Sequence, residues 1–166
     1  LESLKRFHRY KKSHNLNFYQ IISLAALYHF NKSNLDLWIL EIGMGGRLDP
    51  MNFIDPDISV ITKVALDHQD YLGNTIEEIA AEKAEIARSK KPLIFGSENV
   101  PSSIIKKALK VNSFLINPKK KNNYSTKFSK RRIISNEVLF CLQEVSKKSI
   151  FNLSDKITKK FIEDFK

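Results

Sequence analysis

The run LDLWILEI, residues 35–42, is apolar on both of its alternating faces, carries an acid, Glu41, near its end, and opens into a loop with Gly43, Gly45 and Gly46. A strand apolar on both faces must be covered on both, as inside a parallel sheet with helices above and below. Parallel neighbours need long crossover connections, normally helices. ISVITKVAL supplies a second such run, PLIFG a third and SFLIN a short fourth. Helical spacing lies around and between them. Leu1 to His14 reads as an exposed helix and Asn17 to Asn31 as a helix buried on nearly every face. Thr75 to Ser89 has Asn74 or Thr75 as its N-cap and acids in its first turn. A helix follows Pro101, and NEVLFCLQEVSKK and SDKITKKFIEDF read as two more. Strands alternating with helices predict an α/β, doubly wound, mostly parallel sheet flanked by helices, with right-handed connections. Ligands of such sheets gather at the carboxyl ends of the strands, where Glu41 is expected.

Composition narrows the class. At 166 residues the chain is long enough for one real core, and 42% hydrophobic with 28% charged residues is a globular balance. No stretch approaches the roughly 18 apolar residues of a membrane helix, and the start lacks a signal-like apolar centre. The chain lacks an initiator Met and is expected to be a fragment. The lone Cys141 cannot form an internal disulfide, which suits a reducing, cytoplasmic setting. The formal charge of +10 is concentrated in a basic loop at about 117–135, where KKKNNYSTKFSKRR has no acid. Tyr124 and Phe128 interleave with those charges. That pattern suits a solvated loop, a surface for anionic nucleotides, or a nucleic-acid face.

The candidate chemistry sits at strand ends. Glu41 closes an apolar strand, so it either has a partner or does chemistry. The following loop is not a dinucleotide fingerprint, because Leu48 stands where the third glycine would be, and no phosphate-loop signature occurs in the chain. Arg47 and Asp49 either hold each other or orient a substrate. ALDHQDYLG brings Asp67, His68 and Asp70 to the second strand's end, a candidate metal or acid–base cluster. In TIEEIAAEKAEIARS, Lys83 falls in the middle of the stripe Ile76, Ile79, Ala80, Ile86, Ala87. An inward lysine is costly unless its charge is paired or its pKa lowered. Either its stem snorkels outward, or a neutral amine adds carbon dioxide, and the carbamate offers oxygen to a hard cation such as Mg²⁺.

LEIGMGGRLD, ALDHQDYLGNTIEEIAAEKAEIA and KPLIFG together resemble the central domain of the folylpolyglutamate synthase/dihydrofolate synthase family, in the Mur ligase superfamily. The resemblance is continuous from about Leu16 to Ile105 and weaker beyond. It implies an ATP-dependent ligase joining L-glutamate to dihydropteroate, to a reduced folate or to both, through an acyl phosphate, in folate biosynthesis. It implies Glu41 and His68 as Mg²⁺ ligands, and Lys83 as the carbamoylated lysine serving a second Mg²⁺ site. Lys83 and His68 are then the catalytic pair. The resemblance places Asn136 at the nucleotide, and Asn17, Phe18, Tyr19, Gln20, Leu48, Asp49 and Pro50 at the pterin. It implies one partial domain over residues 1–166, with the N-terminal phosphate-loop unit and the C-terminal glutamate-binding domain absent. The full-length protein is expected to be a cytoplasmic monomer acting on small molecules, without nucleic-acid or membrane partners; the fragment alone is expected to be inactive. Two departures stand out: Gln20 where many bacterial members carry glutamate, and Glu85 where glycine is usual.

The alternatives are another Mur-type amide ligase, a remnant of a decayed gene, and a non-catalytic basic nucleic-acid-binding domain. Acids at strand ends separate the last of these, because they repel phosphate unless metal is present.

Overall fold

A computed structural model of the chain describes residues 2–8, 14–117, 141, 144 and 145. The helix expected at SDKITKKFIEDF, Asn136 and all of the basic loop after residue 117 lie outside the described residues. Two compact units result, Leu1–Ile54 and Asp55–Lys166.

The second unit is the α/β part. Its strands are β1 Ser59–Ile61, β2 Pro92–Phe95 and β3 Phe114–Ile116, all parallel and in the order β1-β2-β3. Val60 pairs with Ile94, and Ile94 in turn with Ile116. Side chains alternate across a sheet, and each face has its own core. On one face, Ile61, Leu93 and Phe95 pack with Ala80, Ala84, Ala87, Ile104 and Ala108. On the other, Ile94 packs with Cys141, flanked by Ile58, Val60, Ile116 and Val145. Cys141 and Val145 are helical, so helical residues cover both faces and the architecture is doubly wound. Leu93, Ile94, Phe95, Ile79 and Ile104 are all at most 1% exposed. Each contributes about 1.5–3 kcal/mol relative to an exposed side chain.

Local chemistry sets the helix ends. Helix α3 here denotes Gln69–Leu72, α4 Ile76–Ala84 and α5 Ser102–Val111. Helix α4 begins in a capping box: Glu78 N–H donates to Thr75 Oγ1, and Glu78 Oε2 accepts from Thr75 N–H. The same Oε2 accepts from Asn74 N–H at 2.7 Å. Gly73 makes room for this carboxylate. It has φ of 118°, and a Cβ there would lie 2.5 Å from Glu78 Cβ. Gly73→Ala is therefore expected to cost about 2 kcal/mol or more in unfolding free energy, measurable as a lowered denaturant midpoint.

Helix α5 starts at Pro101, which has no side chain to cap it. Glu77 of α4 fills that role. Its carboxylate accepts from Ser102 N–H at 2.9 Å, Ser103 N–H at 2.8 Å and Ser102 Oγ–H at 3.1 Å. The Ser103 and Ser102 amides, in that order, hold the Glu77 carboxyl down at about 2, from an ordinary 4.5. The charged form is thus favoured by folding. The associated stability is complete above about pH 4.5 and is lost as pH falls towards about 2. Glu77→Gln should flatten the acid side of a pH series of urea midpoints over that window. An identical acid limb in both proteins would show that the interhelix cap has no such effect.

The first unit is helical. Helix α1 spans Glu2–His8 and α2 spans Phe18–Lys32. Asn17 and Gln20 form the capping box of α2, each side chain accepting from the other residue's N–H at 2.9 Å. Phe7 meets Tyr28 edge-on at 5.6 Å, and Arg6 lies 4.8 Å above the Tyr28 ring while donating to its hydroxyl. Phe30 meets Trp38 at 5.7 Å.

Several sequence expectations need correction. Residues 35–42 form no strand among the described residues. Leu35, Leu37 and Ile39 are 45%, 47% and 82% exposed, whereas Trp38, Leu40 and Ile42 are half-buried. The alternation of a strand persists without a ladder, because a ladder needs a partner backbone that apolarity cannot supply. Helix α2 is not buried all round either. Only Ile21, Ser23 and Ala25 are buried, while Phe18, Tyr19, Ile22 and Leu24 are exposed. The second strand keeps three residues of its nine-residue run, and α4 ends at Ala84 rather than near Ser89. Of the helix expected over Leu1 to His14, Glu2–His8 is helical, and residues 9–13 lie outside the described residues.

Candidate functional site

In the first unit the glycine loop closes around Asp49. Its Oδ2 accepts from Gly43 N–H at 2.8 Å and from Met44 N–H at 3.4 Å; its Oδ1 accepts from Met51 N–H at 2.8 Å. Asp49 is buried, at 9% exposure, and caps the 3-10 turn Pro50–Phe53 with Pro50 in the first position. A buried carboxylate needs such donors. The Tyr19 hydroxyl adds another at 3.4 Å. Burial first, then the Asp49 charge, raises the Tyr19 pKa above its ordinary 10. A Cβ at Gly43 would stand 2.9 Å from the Tyr19 hydroxyl and 3.3 Å from Asp49 Oδ2, so a side chain there would push Tyr19 off the carboxylate.

The structure thus brings Tyr19 to Asp49, two stretches 30 residues apart. Asn17 and Gln20 hold each other as the cap of α2, so an amide at position 20 has a local structural role. Phe18 and Leu48 are 73% and 80% exposed, at the free surface beside this latch. Glu41 is exposed and lies in a segment that forms no strand, so it is not at the strand end expected of it. The latch at Asp49 was missed as such in the sequence. Its signal was Asp-Pro, a capping residue followed by proline at a helix start.

In the second unit the segment leaving β1 carries Asp67 and His68. His68 sits in the left-handed region at φ 52° and ψ 40°, directly before α3. Non-glycine residues adopt this conformation rarely, and often where a site constrains them. Its N–H donates to Asp67 Oδ1 at 2.9 Å, and its Nε2 lies 3.6 Å from Asp67 Oδ2. The Asp67 carboxylate thus lies beside both the backbone and the ring of His68. Asp70 is in the first turn of α3, and Tyr71 is 76% exposed.

Lys83 lies in the last turn of α4 and is half-buried. The buried stripe runs Ile79, Ala80, Ala84 and Ala87, with Ile76 39% exposed. Lys83 is therefore at the margin of the apolar stripe, not in its middle, because the wrap of the helix favours Ala84 for the innermost position. Within each unit, no three described His, Cys, Asp or Glu side chains gather in a metal-holding group. Glu41 belongs to the first unit, His68 and Lys83 to the second. No described helix is long and apolar enough to cross a membrane.

Known proteins share these features of sequence and fold. The family described as Mur ligase middle domain matches residues 3–150. The dihydrofolate synthase/folylpolyglutamate synthase of Escherichia coli K12 is 48% identical over 90 residues, 54% of this chain and 21% of that protein. Escherichia coli FolC, solved with DHPP and ADP, aligns with a TM-score of 0.60 at 44% identity, over 61% of this chain and 25% of that one. The bifunctional folylpolyglutamate synthase/dihydrofolate synthase of Yersinia pestis, complexed with AMPPNP and Mn ion, aligns with a TM-score of 0.64 at 37% identity. That alignment covers 69% of this chain and 28% of its neighbour. The chain spans between 21% and 28% of the length of these relatives. With a parallel sheet covered on both faces and a family match running from residue 3 to residue 150, the chain belongs to the Mur ligase middle-domain family.

Proposed function

We propose that this chain is part of an ATP-dependent ligase that adds L-glutamate to dihydropteroate, to a reduced folate or to both. The observation that carries the reading is His68. Its ring is held on a left-handed backbone next to Asp67, in a loop that leaves the sheet beyond β1. The relatives solved with ADP, AMPPNP and Mn ion support a nucleotide and a divalent cation as its ligands. The donor set fits a hard cation: the exposed carboxylate of Glu41, the His68 imidazole and, once carbamoylated, Lys83. In that reading each of the three would serve as a ligand of Mg²⁺, with carbamoylated Lys83 serving a second site. Bound Mg²⁺ would neutralise charge on the phosphates as it redistributes.

The residues of the chain do the rest by position. The Lys83 amine, after losing a proton, forms a C–N bond with carbon dioxide. The second N–H proton leaves to solvent and an anionic carbamate remains. The Asp49 latch holds the glycine loop shut against Tyr19, so that Leu48, Pro50, Phe18 and the Asn17–Gln20 cap present a fixed surface to the pterin. Asn136 serves the nucleotide. The substrate carboxylate takes the γ-phosphoryl group of ATP. The glutamate amine then attacks the acyl phosphate and phosphate leaves as the amide forms. Residues 1–166 form one partial domain, supported by a family match that crosses the junction of the two units. The buried Cys141, the one cysteine of the sequence, supports a reducing cytoplasmic setting.

The test uses the protein expressed with its neighbouring coding sequence. Phosphate release from ATP should require both glutamate and a pteroate or folate, together with Mg²⁺. Release that is independent of the pterin substrate would overturn the assignment. Salt-sensitive binding to nucleic acid without Mg²⁺ would do the same.

A further inference from the structure

The turn that carries Lys83 is held from outside its own helix. Glu85, two residues on, caps the C-terminus of α4, and its N–H donates to the carbonyls of Glu82 and Lys83. The Ile86 N–H also donates to the Lys83 carbonyl. From α5, the Lys107 ammonium reaches Glu85 Oε2 at 2.6 Å, with the two side chains only 19% and 33% exposed. From the other side, Arg88 donates through Nη1 to the Glu85 carbonyl at 3.2 Å and through Nε to Asp55 Oδ1 at 2.5 Å. Side chain and carbonyl of one residue are thus tied to separate parts of the fold.

We propose that Glu85, clamped by Lys107, is a positioning residue for Lys83; this rests on the reading of Lys83 given above. Helix ends fray unless their last carbonyls are satisfied. A lysine at the margin of a core has many rotamers to lose, and it can offer its amine in one place only if its backbone turn is fixed. A partly screened ion pair at a helix end stabilises that turn locally and adds little to the whole domain.

The experiment compares the full chain with Lys107→Ala, Glu85→Gln and the exchanged pair Glu85→Lys/Lys107→Glu. Amide hydrogen exchange is read at Ile86 and, as reference, at the β2 amides of Leu93 and Ile94. Acetylation of Lys83 relative to Lys110 is read by peptide mass spectrometry, without metal or nucleotide. Lys107→Ala should speed exchange at Ile86 about fivefold or more and raise the Lys83 to Lys110 ratio, with the β2 amides unchanged. The exchanged pair should restore both. Glu85→Gln keeps the side chain's shape and should give the same shift if Lys107→Ala fails to fold. Unchanged exchange at Ile86, equal acceleration in β2, or an unchanged acetylation ratio would overturn the proposal. An active Lys83→Ala enzyme would instead sink only the functional reading, leaving the clamp as a local device.

Discussion

Under the proposed ligase activity, Lys83→Ala, made in the protein expressed with its neighbouring coding sequence, is expected to lower kcat for glutamate addition by at least about a hundredfold. The fold should stay intact. The reason lies in where the residue is. Lys83 is half-buried in the last turn of α4, with Ala84, not Lys83, in the innermost position of the helix face. Removing its side chain therefore leaves no buried cavity of the kind that destabilises cores. Lys83→Arg keeps a positive charge but cannot form the carbamate, so it should be as impaired as the alanine variant. If arginine restores activity, the residue acts by charge and the carbamate is wrong. Circular dichroism melts of both variants should match the parent, which separates lost chemistry from lost structure.

Asp49→Ala should have the largest effect on local structure. It deletes the acceptor of three backbone amides and of the Tyr19 hydroxyl in one step. Hydrogen bonds to a charged group contribute roughly 1.5–3 kcal/mol each, and partial replacement by water brings the expected total to about 2–4 kcal/mol. Exchange at the Gly43 and Met51 amides should accelerate, and affinity for the pterin substrate should fall more than affinity for ATP. Tyr19 supplies a second readout. Its ionisation lies above the usual tyrosine value first through burial and then through the Asp49 charge. Asp49→Asn should lower it without reaching that usual value. A spectroscopic titration unchanged by Asp49→Asn would show that the two residues do not meet in solution.

Much of the second unit was legible. PLIFG and SFLIN became β2 and β3, and of the two N-cap candidates Thr75, with acids in the following turn, proved to start α4. These signals are local: a cap, a turn residue or a short apolar run carries its own geometry. The loop at residues 43–49 was legible as a loop, yet the role of Asp49 was not. Its partner Tyr19 lies 30 residues earlier, and nothing in the spacing links them. Pairing Asp49 with Arg47, the nearer charge, was the obvious reading; the structure puts backbone amides around the carboxylate. Likewise, helical periodicity placed Lys83 in an apolar stripe, and only packing against α5 and the sheet shows Ala80 and Ala84 taking the inner positions.

The amino-acid order alone determined that β1, β2, β3, α4 and α5 exist, that the sheet would be covered on both faces, and the three motifs by which the family can be recognised. Those properties follow from local backbone preference and the repeat of apolar residues. Tertiary structure decided the rest: that Asp49 is the centre of the glycine loop, that Glu77 caps a neighbouring helix, that His68 takes a left-handed backbone, and that residues 35–42 keep their alternation without a ladder. Each of these depends on a partner distant in the chain or on backbone strain held by its surroundings, and neither is written in the residues that show it.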